Sequence, residues 1–266
     1  MQKRGLSSTD NDMKIQGIFF DLYGTLIVYG DMERAWDAWL HTLYSELEIS
    51  RLSLSVSQFA AACESFFRRE PPQVADDGLT VYERRLLHLS TELRFEPLKT
   101  DLTAAAEASL AAWQNYIYLD PEAIPLLSVL REQYKLVLLT NFDHPPHLRS
   151  YLPETGLDRF FDTVIISGEV GTRKPAARIF EIALERTGLL AEQVVFVGDS
   201  PADDVAGAKA AGIKPILIIR SGKVSTNDFT NQGEKDDATN VTFGYNAAGL
   251  KIISSLNELM AVLQEV

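Results

Sequence analysis

Five short runs of apolar residues recur along the chain: KIQGIFF (14–20), KLVLLT (135–140), TVIIS (163–167), QVVFVG (193–198) and KPILII (214–219). Their hydrophobicity is nearly continuous and rich in β-branched residues. That is the pattern of parallel strands covered on both faces. Segments of helical period lie between them. Glu122–Glu132 is one, Ala177–Arg186 closed by Gly188 another, and Ala202–Ala211 closed by Gly212 a third. Strand alternating with helix predicts right-handed βαβ crossovers and an α/β fold built on a doubly wound parallel sheet.

Residues 30–115 follow a different pattern. They hold no convincing strand, and four amphipathic stretches fill them, broken by loops such as EPPQVADDG (70–78). An all-α, four-helix unit inserted after the first strand is expected. It would sit over the carboxyl edge of the sheet, where open α/β folds bind ligands. The expected division is a flexible tail at 1–12, a core from 13–28 and 116–266, and a helical insert at 29–115. Residues 221–247 are polar and read as a long surface loop. The closing LKIISSLNELMAVLQEV reads as a short strand followed by a helix.

Composition narrows the partners. The 266 residues are 46% hydrophobic and 23% charged, which is ordinary for a globular protein with a real core. The net charge of −12 disfavours nucleic acid and anionic membrane, and obliges an anionic substrate to find a locally positive site. A lone cysteine, Cys63, allows no internal disulfide. The first twelve residues hold no apolar signal core, and no run is long enough to span a bilayer. A cytoplasmic protein, monomeric or a homodimer, with a small anionic substrate is expected.

In a parallel sheet the strand carboxyl ends share one edge, so residues just beyond them meet in space. Polar groups stand at four such places. Asp21 ends FFD, before the Gly24 turn. Thr140 and Asn141 follow KLVLL. Lys174 opens a helix in RKPAARIF. Asp199 follows VVFVG, and Asp204 comes five residues later. Each has a bland reading as turn, cap or solvated entry. Their joint occurrence at successive strand ends points to one site. Asp21 is then a candidate nucleophile. Asp21 and Asp199 with a main-chain carbonyl make a hard oxygen site suited to Mg²⁺, with Asp204 holding the metal or its waters. Lys174 and Thr140 would bind an anionic substrate.

FFDLYGTL, LLTN, Lys174-Pro175 and VVFVGDSPADDVAGAKAAG together make the chain resemble the haloacid dehalogenase superfamily. The helical insert corresponds to the cap that its members carry. The resemblance implies an aspartyl-enzyme intermediate, then hydrolysis. On this sequence it makes Asp21, Thr25, Thr140, Asn141 and Lys174 the catalytic candidates. It makes Asp21, the backbone carbonyl of Tyr23, Asp199 and Asp204 the metal candidates.

Two departures pull in opposite directions. Phosphatases of the superfamily mostly carry an aspartate two residues after the nucleophile, as general acid and base. Tyr23 stands there, the form typical of dehalogenases. GDSPADD, by contrast, is phosphatase-like, because the metal-free dehalogenases usually have a serine where Asp199 stands. Two carboxylates kept together call for a cation. Mg²⁺-dependent phosphatase action on a small phosphorylated metabolite is therefore ranked first. Hydrolytic 2-haloacid dehalogenation follows, and a catalytically weak Mg²⁺- and anion-binding module is third. A dehalogenase would need a halide cradle, for which Arg34, Arg51, Trp36 and Trp39 are the available groups. The favoured reading of those tryptophans is insert core, and of those arginines a solvated face. Asp143 and His144 are placed to substitute for the missing acid, though FDHPP is better read as a proline-bounded loop.

Overall fold

A computed structural model describes residues 14–70, 72, 77–220 and 249–265. The expected tail at 1–12, the expected loop at 221–247 and most of 70–78 lie outside the described residues.

The described residues pack as two units. The first comprises the chain up to Ile27, Leu119–Asn141 and everything from Leu157 on. Its sheet has six strands in the order β5-β4-β1-β6-β7-β8: β1 Gly17–Phe20, β4 Lys135–Thr140, β5 Thr163–Ile166, β6 Val194–Gly198, β7 Lys214–Ile218 and β8 Lys251–Ile253. All neighbouring pairs are parallel. The central strands are buried on both faces, as their unbroken apolar runs require. Their register sets up the site. Phe20 lies level with Leu138 and with Val197, so Asp21, Thr140 and Asp199 emerge on one edge. β1 is also where the strand order reverses, with β4 on one side and β6 on the other, the usual place for a ligand crevice.

Helices α5 (Ala123–Leu130), α7 (Ser167–Val170), α8 (Ala177–Thr187), α9 (Ala206–Ala210) and α10 (Leu259–Leu263) belong to this unit. Phe19, Val137, Ile165, Ile179, Phe180 and Phe196 form one layer of its core. Gly188 and Gly212 end their helices at φ of +69° and +76°, as the sequence predicts. The helix expected over Ala202–Ala211 is built otherwise. Its first turn, Pro201–Val205, is a π-turn, and α9 continues from it. The Ser200 carbonyl accepts from both Asp204 N–H and Val205 N–H, so the turn is wider by one residue.

The second unit comprises Val28–Tyr118 and Phe142–Gly156. It holds α1 (Met32–Glu46), α2 (Val56–Cys63), α3 (Val81–Glu92), α4 (Lys99–Gln114) and α6 (Pro145–Thr155). Ser55 with Gln58 and Thr80 with Glu83 form reciprocal capping boxes at the starts of α2 and α3. Trp39, Leu43, Phe59, Tyr82, Leu86 and Leu110 are buried together between the helices. Trp39 Nε1 donates to Tyr82 Oη at 2.6 Å, so the indole is anchored in this core. Residues 142–156, which the sequence reading leaves with the sheet, pack with these helices, and polar bonds hold them there. Arg85 Nε donates to Asp143 at 2.8 Å, and Glu107 contacts His144 Nε2 and His147 Nδ1 at 3.0 Å each. Short strands β2 (Ile27–Tyr29) and β3 (Ile117–Leu119), not foreseen in the sequence, pair where the chain crosses between the units. Among the described residues no helix is long and apolar enough to cross a membrane.

Candidate active site

Asp21 sits one residue past β1, where its N–H donates to the Val197 carbonyl of β6 at 2.9 Å. Its carboxylate is almost fully buried. The chain then turns sharply, with Gly24 at φ +91°. A side chain at Gly24 would force the Asp199 carboxylate to move, because a Cβ there would lie 2.0 Å from Asp199 Oδ2. Glycine is thus needed both for the backbone angle and for the approach of the turn to Asp199. Thr25 Oγ1 lies 3.4 Å from Asp21 Oδ2, the outer limit of a hydrogen bond.

Lys174 is buried between two carboxylates. Its Nζ lies 2.6 Å from Asp21 Oδ1 and 2.6 Å from Asp204 Oδ1. Burial works against the ammonium charge, but Asp21 and Asp204 more than offset it, so the lysine pKa moves up and the charge is kept. Asn141 fixes where this lysine starts. Its Nδ2 donates to the Lys174 carbonyl at 3.0 Å, and its Oδ1 accepts the Lys174 N–H at 2.9 Å. The amide of Asn141 thereby serves the backbone of Lys174, and it also hydrogen-bonds Asp203. Asp204 is held by the Ser200 N–H, which donates to its Oδ2 at 2.9 Å across the π-turn.

Asp21, Asp199 and Asp204 each offer an oxygen, and these atoms lie within 4.8 Å of one another. Burial pushes the Asp21 pKa up to about 7 against the pull of Lys174, with Asp204 and Asp199 adding to the rise. Burial and Asp204 raise Asp199 to about 6. Lys174 lies between Asp21 and Asp204, and Arg220 draws on Asp199, so three carboxylates share two cations in a buried place and negative charge is in excess. Hard oxygen donors with uncompensated charge suit a divalent cation of the Mg²⁺ type. Thr140 Oγ1 is buried on the same edge and has no hydrogen-bond partner among the described residues, which leaves it for a ligand.

The sheet edge therefore gathers Asp21, Thr25, Thr140, Asn141, Lys174, Asp199 and Asp204 in one unit, with Tyr23 inside the turn. Other candidates have different employment. Asp143 is bonded to Arg85, and its carbonyl accepts from Tyr82 N–H. His144 is 1% exposed, with Thr80 Oγ1 at 2.8 Å from Nδ1 and Glu107 on Nε2. Burial depresses its pKa, opposed by Glu107. Arg34 and Arg51 are exposed and pair with Asp31 and Glu48 one helical turn away. One residue went unnoticed in the sequence. Arg220, beyond β7, bonds the Gly24 and Thr25 carbonyls. Nothing in the run of residues around it marks it.

Comparison with known proteins shows the family. The family model for haloacid dehalogenase-like hydrolases matches residues 15–212. The chain is 30% identical to the ribulose-1,5-bisphosphate 5-phosphatase of Halopiger xanaduensis over 76% of its length and 83% of that protein. It is 40% identical to the phosphoserine phosphatase of Thermus thermophilus, but there the match spans only 43% of this chain and 46% of that protein. Among solved structures, a HAD phosphatase from Thermococcus onnurineus is similar with a TM-score of 0.64 at 24% identity, covering 94% of this chain and 98% of that one. The chain belongs to the haloacid dehalogenase-like hydrolases.

Proposed function

We propose that the protein is a Mg²⁺-dependent phosphatase acting on a small phosphorylated metabolite through an aspartyl-phosphate intermediate on Asp21. One observation carries the reading: a third and a second carboxylate, Asp204 and Asp199, stand beside the nucleophile with oxygens within 4.8 Å. A metal-free dehalogenase has no use for that crowding, because like charges raise the nucleophile's pKa and reduce its ionised fraction. Three of the four residues named as a halide cradle give that alternative no support. Trp39 is committed to the core of the helical unit, and Arg34 and Arg51 are exposed and paired on their own helices. Relatives matched over more than three quarters of this chain carry phosphatase names, which favours the same side.

Asp21, the Tyr23 carbonyl, Asp199 and Asp204 would hold the cation. When bound, it neutralises the carboxylates and the phosphoryl oxygens. The rest falls to the chain's own side chains. An Asp21 oxygen attacks phosphorus, the ester P–O bond breaks, and the alcohol departs with the bonding pair. Water then attacks phosphorus and releases inorganic phosphate and free Asp21. Lys174 keeps a positive charge against the nucleophile and the incoming anion, and Asn141 holds its backbone in place. Thr140 Oγ1 donates to a phosphoryl oxygen. Tyr23 replaces the acid that would protonate the leaving oxygen, and a phenol of pKa about 10 is a weak donor at neutral pH. Departing alkoxides must take their proton from water, so aryl phosphates should be favoured over alkyl phosphates.

The test is a panel of phosphate monoesters and 2-haloacids assayed with Mg²⁺ and with EDTA. The expected result is phosphate release that EDTA abolishes and that Asp21→Asn eliminates. Chloride release from 2-chloropropionate, unaffected by EDTA, would reverse the assignment to dehalogenase. Beryllofluoride and Mg²⁺ binding without turnover on any substrate would favour the binding-module reading.

A further inference from the structure

Arg220 lies two residues beyond β7, and no step above uses it. Its guanidinium joins two distant stretches of chain within the sheet unit. Nε donates to the Gly24 carbonyl at 3.2 Å and Nη2 to the Thr25 carbonyl at 2.5 Å. Nη1 lies 2.5 Å from Oδ2 of Asp120. Asp120 is itself firmly seated. It is 3% exposed, its N–H donates to the Leu26 carbonyl, its Oδ1 accepts Glu122 N–H, and its carbonyl accepts Ala123 N–H.

The turn needs such a fixture. The N–H groups of Thr25, Leu26 and Ile27 all converge on one acceptor, the Leu22 carbonyl, at 3.3, 2.9 and 2.8 Å. A carbonyl offers two lone pairs, so three donors crowd it, and the one other backbone bond within the turn among the described residues is Gly24 N–H donating to the Ile27 carbonyl at 2.6 Å, which leaves the Gly24 and Thr25 carbonyls to an outside donor. The turn nonetheless has an exacting task, since its Gly24 must pass against Asp199 while Asp21 stays at the strand end. A guanidinium is a planar, rigid, permanently charged fork, which suits it to hold two consecutive carbonyls against a carboxylate.

We propose that Arg220 is a positioning residue: it bolts the Gly24 and Thr25 carbonyls to Asp120 and so fixes the spacing of Asp21 and Asp199. The functional consequence rests on the Mg²⁺-dependent reading, and the local one does not. The variants are Arg220→Ala and Arg220→Lys, with Arg178→Ala as control, since Arg178 is exposed and pairs only with Glu181 and Glu185 on its own helix among the contacts described. Circular dichroism checks folding. Hydrogen exchange is then read on the peptide covering 22–27, and Mg²⁺ binding by calorimetry without substrate.

In Arg220→Ala, exchange of the 22–27 amides is expected to quicken about tenfold or more and Mg²⁺ affinity to weaken about tenfold. The kcat should fall while KM moves less than about threefold, because Arg220 touches the turn and not the substrate. Guanidinium ion at low millimolar concentration should restore part of the protection in Arg220→Ala. Arg220→Lys keeps the charge but not the fork, and should be intermediate. It decides the matter if Arg220→Ala does not fold. Unchanged exchange at 22–27 in a folded variant overturns the proposal, as does full protection in Arg220→Lys. If the wild-type protein takes up no Mg²⁺, the metal reading fails, and the exchange measurement still decides the role of Arg220.

Discussion

Replacing Gly24 by alanine tests the geometry of the acidic cluster with a single methyl group. Two costs follow. At φ +91° an L-residue is strained, at about 1–2 kcal/mol. The new Cβ would also stand 2.0 Å from Asp199 Oδ2 and 2.4 Å from its Cγ. A tolerable carbon–oxygen contact is about 3.3 Å or more, so the carboxylate must retreat by over about 1 Å. Forcing it off its preferred rotamer costs about 0.5–1.5 kcal/mol. The sum, about 1.5–3.5 kcal/mol, should lower Tm by about 3–14 °C. Mg²⁺–oxygen bonds are short and tightly constrained, so a displaced Asp199 should weaken Mg²⁺ binding about 10–100-fold. Thermal unfolding and calorimetry measure both effects. In an Asp199→Ala background the clash is gone and only the backbone strain should remain, leaving a coupling of about 0.5–1.5 kcal/mol. Unaltered Mg²⁺ affinity in Gly24→Ala, or additivity within about 0.3 kcal/mol, would refute the reasoning.

Three further expectations follow from the same site. Tyr23→Asp should supply the missing proton donor and raise hydrolysis of alkyl phosphates by about 10²-fold or more, with a smaller gain on aryl phosphates; an equal gain on both would contradict the leaving-group argument. With the Asp21 pKa raised to about 7 and that of Asp199 to about 6, protons compete with the cation on the acid side. Mg²⁺ affinity should therefore be level at alkaline pH and drop as pH falls below about 7, with proton release on binding there, and a flat profile by calorimetry would refute it. Lys174→Met removes the ammonium between Asp21 and Asp204. It should abolish turnover and cost about 3 kcal/mol of stability in EDTA, part of which Mg²⁺ restores, as denaturant unfolding with and without the metal would show.

The sheet was legible because buried parallel strands write continuous apolar runs, and because a strand end places its next residue on a known edge. That is why Asp21, Thr140, Lys174, Asp199 and Asp204 could be grouped across nearly two hundred residues of chain. The π-turn after Ser200 was not legible, because the sequence signals of a helix start are the same whether the first turn is wide or tight. Neither was Arg220. Its partners are the carbonyls of Gly24 and Thr25, and backbone acceptors carry no residue signature. Asn141 was recognised as a site residue by its position, but that its amide serves the Lys174 backbone could be seen only in three dimensions. Asp143 and His144 show the converse. Their chemistry looked available, yet their bonds to Arg85, Thr80 and Glu107 tie α6 to α3 and α4.

Glu107 has a consequence for anyone altering this protein. Its side chain is 43% exposed, and by that figure alone it would be picked as a harmless place to trim surface charge. Yet its two oxygens serve two nearly buried imidazoles, one each. Swapping it for alanine would take one of two polar partners from both rings in a single stroke, leaving His144 with Thr80 and His147 with Gln114, so a position that looks disposable from outside matters more seen from within.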